Sequence, residues 1–133
     1  MRRATNHGFT LIELLVTIAI LAIVVAIAIP SYRSYVERTN RTDGTRALME
    51  TAQALERCFT RFNAYNAGDC SVTLPFTSDE GWYEVTGVVA AGTFTLTATP
   101  QAGQVSDTEC AAFTLTHSGI RAVTGTGTAE DCW

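Results

Sequence analysis

Polar and apolar residues sort along this chain into three regions with different periods. Residues Phe9 to Ile29, FTLIELLVTIAILAIVVAIAI, hold only Thr10, Glu13 and Thr17 as polar positions. The segment is therefore apolar on every side, not along one stripe. At about 1.5 Å per residue a helix of this length spans roughly 32 Å, close to the ~30 Å hydrocarbon thickness of a bilayer. The rest of the chain could hardly surround such a helix as a core, so the pattern predicts a membrane span. Pro30 closes the run and brings no N–H to the preceding turn, which predicts a kink there.

From Ser31 to Phe62 the period becomes that of an amphipathic helix. Leu48, Ala52, Leu55, Phe59 and Phe62 recur every three or four residues and fall on one stripe. Its upstream half, with Tyr32, Tyr35 and Val36 among Arg33, Arg38, Asn40 and Arg41, reads as a solvated face. Asp43-Gly44 reads as an interruption that marks a bend, because glycine in a helix costs about 1 kcal/mol relative to alanine.

Beyond Phe62 the period falls to two. Asn63 to Glu80 has neither repeat and reads as a connecting loop. Trp82 to Ala90 is strand-like, and Thr93 to Thr99 alternates strictly, with Phe94, Leu96 and Ala98 on one face and threonines on the other. Phe113 to Thr116 repeats that alternation, and Ala91-Gly92 and Ser118-Gly119 supply turns. Three to four antiparallel strands with one apolar face need a cover. The Leu48–Phe62 stripe is the available helix, so burial predicts an α+β architecture with the sheet packed on the distal half of a long helix.

Charge divides the chain. Through Arg61 eight arginines face five acids, a balance of +3; from Phe62 onward Arg121 alone faces eight acids, a balance of −7. The acidic distal part argues against non-specific binding to phosphate backbones. Residues Met1 to Gly8, MRRATNHG, are polar and basic, which predicts that they stay cytoplasmic and that everything beyond Pro30 is exported. The four cysteines, Cys58, Cys70, Cys110 and Cys132, then lie in an oxidising compartment and favour disulfides, with three pairings open. No C-x-x-C pair and no nearby histidine argue for a metal site.

Candidates for catalysis are thin. His117 adjoins Ser118, but neighbours in a strand point to opposite faces. Asp79-Glu80 reads as a solvated carboxylate pair. Gly125-Thr126-Gly127 lacks the lysine and following helix of a phosphate loop. The chain reads as no enzyme, with no cofactor.

Glu13 needs a reason, since an acid deep in a membrane helix costs roughly 2.5–3.5 kcal/mol. One account is a capping box with Thr10. The other is neutralisation by a cation within an assembly, most simply a free amine created by cleavage just before Phe9. The two are compatible.

Gly8-Phe9-Thr10-Leu11-Ile12-Glu13 with the apolar run to Pro30 resembles the start of a type IV pilin precursor. The stretch Ala54 to Tyr65, Cys70 and the distal Gly125-Thr126-Gly127 and Asp131-Cys132-Trp133 resemble a PilE-type minor pilin of type IVa pili. The resemblance implies a leader over 1–8, a transmembrane and filament-core helix over 9–30 and an exported pilin domain over 31–133. It implies that a prepilin peptidase cuts between Gly8 and Phe9 and methylates the Phe9 amine, and that Glu13 then pairs with that amine on a neighbouring subunit. Pro30 belongs to the same assembly segment. The shortest loops, together with pilin organisation, favour Cys58–Cys70 and Cys110–Cys132.

The implied partners are other pilin subunits, the peptidase and, before assembly, the inner membrane. The implied work is pilus assembly, adhesion and twitching motility at the cell surface. DNA stays a possible partner that the acidic distal part disfavours. Two other readings share parts of this pattern: a type II secretion pseudopilin, and a soluble periplasmic binding domain released after Ala28.

Overall fold

The structure is a computed structural model and describes residues 8–133. The chain begins with one long helix, α1 (Leu11–Phe62), followed by β1 (Phe76–Thr77), β2 (Tyr83–Val89) and β3 (Phe94–Pro100). A 3₁₀ turn (Ala102–Ser106), β4 (Phe113–Thr116), β5 (Arg121–Val123) and a one-turn helix α2 (Ala129–Cys132) complete it. Two compact units divide the chain after Val36.

In the first unit α1 carries the apolar run. Every large apolar side chain from Leu11 to Ile29 is exposed. The helix continues unbroken through Pro30, and Ser34 Oγ donates to the Pro30 carbonyl at 3.3 Å.

The second unit, Glu37–Trp133, holds the sheet. The strands lie in sequence order, β1-β2-β3-β4-β5, all antiparallel. The strand-alternation reading holds for β3, where Phe94, Leu96 and Ala98 are buried and the threonines between them are not. Tyr83 and Val85 of β2 and Phe113 and Leu115 of β4 extend this face, Leu48 and Leu55 of α1 cover it, and Ala52 and Phe59 pack at the margin.

The structure departs from the sequence reading in several places. The sheet has five strands, not three to four, because β1 and β5 are two and three residues long and too short to show a period. β1 sits inside the supposed loop. Asp43-Gly44 is no bend; α1 runs through both, and both are buried. Phe62 leaves the stripe and is exposed at the helix end.

The last residue of the chain packs against β5. The indole N–H of Trp133 donates to the Ala122 carbonyl of β5 at 3.3 Å, and the Arg121 guanidinium lies 5.2 Å over the Trp133 ring.

Candidate functional site

The residues at the head of α1 form a reciprocal cap. Glu13 N–H donates to Thr10 Oγ1 at 3.3 Å, while Thr10 N–H donates to Glu13 Oε2 at 3.4 Å. Two otherwise unpaired helix-start donors are thereby satisfied, and the acid sits at the positive end of the helix dipole. Thr17 Oγ1 donates back to the Glu13 carbonyl at 2.7 Å, so the second threonine of the run also spends its hydroxyl on the helix. Glu13 remains exposed, as does Phe9 beside it. The result is an apolar cylinder, mean hydropathy 3.0 over its most apolar 18 residues, with a single acid held at its start. Gly8 is the first described residue. The rest of the expected leader, with Arg2, Arg3 and His7, lies outside the described residues.

A second constellation fixes the 3₁₀ segment to α1 within the second unit. Arg41, read from sequence as part of a solvated face, is buried. Its Nε and Nη2 grip Asp107 at 2.7 and 2.9 Å, and Nη2 also reaches Glu109 at 2.7 Å. Burial alone would push the Asp107 carboxyl up. The Arg41 fork and the Cys110 N–H at 3.2 Å outweigh it and hold that carboxyl below its usual range. Gln104 Nε2 bonds both Asp107, at 3.2 Å, and the Glu37 carbonyl of α1, at 3.1 Å. Asp107, Glu109 and Cys110 cluster as cation ligands would. Arg41 already occupies both carboxylates, and the Cys110 sulfur is bridged to Cys132, so the set is an ion-pair frame.

Asp43 does similar work two residues on. It accepts from Ser78 Oγ, from Glu80 N–H at 3.2 Å and from Trp82 N–H at 3.3 Å, which locks the β1–β2 turn onto the helix. Sequence reasoning missed Arg41 and Asp43 because their partners lie 35 to 68 residues away in the chain. The one local signal was Gly44 beside them, a small residue where the sheet approaches.

Two disulfides complete the frame. Cys58, in the last turns of α1, is bridged to Cys70, and Cys110 to Cys132, each with Cα atoms 5.7 Å apart. Gly125-Thr126-Gly127 runs beside residues 108–110, its three N–H groups donating to Cys110, Thr108 and Glu109 carbonyls. A β-carbon at Gly125 would collide with the Glu109 carbonyl, so glycine there serves close backbone packing. His117 N–H bonds Phe94, and Ser118 Oγ meets Thr116 Oγ1 at 3.0 Å.

Residues 30–114 match the family described as type IV minor pilin ComP, DNA uptake sequence receptor, and residues 3–29 match the prokaryotic N-terminal methylation motif. The chain belongs to the type IV pilin family. Its relatives include the type IV major fimbrial protein FimA of Dichelobacter nodosus, 38% identical over 108 residues, covering 76% of this pilin and 61% of FimA. Prepilin peptidase-dependent protein D of Escherichia coli K12 is 43% identical over 53 residues, covering 40% of this pilin and 36% of that protein. The match thus spans about three fifths of the length of FimA. The crystal structure of the non-core minor pilin PilV of Neisseria meningitidis shares the fold, with a TM-score of 0.53 at 23% identity, covering 74% of this pilin and 95% of PilV.

Proposed function

We propose that this pilin is a minor structural subunit of a type IVa pilus, waiting in the inner membrane with its start in the cytoplasm. A prepilin peptidase cuts between Gly8 and Phe9 and methylates the Phe9 amine. Glu13 then meets the Phe9 amine of the neighbouring subunit as the filament grows. A carboxylate and an ammonium that are each expensive in lipid offset one another on pairing. The observation that carries the reading is the exposed apolar helix with one capped acid at its head. In this reading Pro30 marks the passage from filament core to exported domain. The filament supports adhesion and twitching motility at the cell surface.

Intact mass and N-terminal sequencing of the protein in sheared filaments test this directly. Methylated Phe9 is the expected terminus. A terminus at Ile29 in a soluble product would sink the filament reading.

A second reading, DNA capture, draws support from the description of the matched family. Arg57 and Arg61 line an open groove beside the Cys58–Cys70 bridge and make no ion pair among the described residues. Binding of duplex DNA that weakens with salt and falls on Arg57→Ala/Arg61→Ala would favour it. No binding at low salt would end it.

A further inference from the structure

A thioether meets a guanidinium where α1 passes β5. Arg121 Nη2 donates to Met49 Sδ at 4.0 Å, and both side chains are exposed, Met49 by 39%. Arg121 makes no ion pair among the described residues, so its donors face only a weak acceptor on that side. The same guanidinium lies 5.2 Å over the Trp133 ring, which stands T-shaped on the buried ring of Phe113. Two side chains thus separate the Met49 sulfur from the core.

The other sulfur atoms of the second unit are closed to oxidation. Cys58 is bridged to Cys70 and Cys110 to Cys132, which leaves no free cysteine among the described residues. The chain has two methionines, and Met1 lies outside the described residues. Met49 therefore carries the one sulfur among the described residues that is open to a two-electron oxidant.

We propose that Met49 is a site of oxidation by hydrogen peroxide and that Arg121 holds the oxygen it gains. A lone pair on Sδ attacks one peroxide oxygen, and the S–O bond forms as the O–O bond breaks. The departing hydroxide takes the proton from the transferred oxygen and leaves as water. Sulfur loses two electrons and the peroxide gains them, giving the sulfoxide. Its oxygen is a stronger acceptor than the thioether, and a cationic donor strengthens the bond further. The spacing suits this product. An N–H···O bond runs about 2.7–3.2 Å, so an oxygen set to one side of the 4.0 Å sulfur–nitrogen line completes one with little movement of either residue.

Oxidation also makes the sulfur chiral. Peroxide hydrogen-bonded to the guanidinium reaches the lone pair that faces Arg121, so one sulfoxide epimer forms in excess. A sulfoxide usually disturbs packing because it adds a polar atom that nothing meets. Here the donor is already in place, so the fold tolerates the change. The inference stands apart from the filament reading, since it needs only the folded second unit.

The test treats the full chain in detergent with hydrogen peroxide while it is folded, then denatures it and digests it with trypsin. With no lysine in the chain, cuts after Arg46 and Arg57 isolate residues 47–57 with Met49. Mass spectrometry follows the added oxygen before and after each of two methionine sulfoxide reductases, which reduce opposite epimers. The wild-type chain is expected to show a severalfold excess of one epimer and to keep its thermal midpoint once oxidised. Arg121→Ala is expected to give nearly equal epimers and to lose several degrees on oxidation, measured against its own unoxidised midpoint. Chain oxidised in denaturant sets the reference ratio. Equal epimers in the folded wild type overturn the inference, and so does an unchanged excess in Arg121→Ala. So does a wild-type midpoint that falls on oxidation as far as that of the variant. Resistance of folded Met49 to peroxide that oxidises it in denaturant overturns it as well, because the sulfur would then be shielded.

Discussion

Gly44 lies against the ring of Tyr83 so closely that a β-carbon at position 44 would stand 2.8 Å from the ring's Cγ. Tyr83 is fully buried at the start of β2, so the ring cannot swing into solvent. Helix propensity favours alanine over glycine by about 1 kcal/mol. The clash works the other way and should win. Gly44→Ala is expected to destabilise the protein by about 1–3 kcal/mol, read as a lower thermal midpoint of the full chain in detergent. Equal or higher stability would mean that the sheet does not approach the helix this closely.

Arg41 and Asp107 give a pH-dependent prediction. The folded carboxyl is held below its usual range, so its contribution is present above the unfolded value near 3.9 and is lost as pH falls below it. Wild-type stability should therefore drop below about pH 4, and Asp107→Asn should flatten that acid limb while lowering stability at neutral pH. Arg41→Ala strands a buried carboxylate and should cost about 3–5 kcal/mol at pH 7. Acid titration of unfolding free energy measures both. An unchanged acid limb in Asp107→Asn would refute this role for the pair.

Cys110–Cys132 closes a loop over a sequence separation of 22 residues. Replacing both cysteines by serine should cost about 3 kcal/mol, and the 108–110 strip that packs on Gly125 should lose hydrogen-exchange protection first. Protection lost evenly over the whole sheet would contradict that localisation.

Glu13 combines a cap with a charge, and two substitutions separate them. Glu13→Gln keeps an acceptor for Thr10 N–H but no charge, whereas Glu13→Ala removes both. Under the proposed pairing both should insert in the membrane and both should be depleted from sheared filaments. If Glu13→Gln entered filaments normally and Glu13→Ala did not, the cap alone would explain the residue.

The legible part of the fold was the part written in short-range period. Alternation from Thr93 to Thr99 and the stripe from Leu48 to Phe59 each repeat within a few residues, and the structure uses both as core. Arg41 and Asp43 carry no such trace. A polar residue on a helix reads as solvated until its partner is known, and Asp107, Glu109 and Ser78 are remote in sequence. β1 and β5 take their strand character from pairing with β2 and β4, not from their own residues. At the head of α1 the Thr10-to-Glu13 spacing was readable as a cap because its whole geometry lies within one turn.

The shortness of β5, whose Arg121 lies over the Trp133 ring, has a consequence for a chain that the filament reading sets in crowded arrays. An open strand margin is a template on which another chain can add a strand, and repetition of that step leads toward cross-β aggregates. With three residues in β5 and the charged Arg121 among them, one self-propagating route is obstructed. Order among many copies is left to side-chain surfaces, which can part again, and not to backbone ladders, which seldom do.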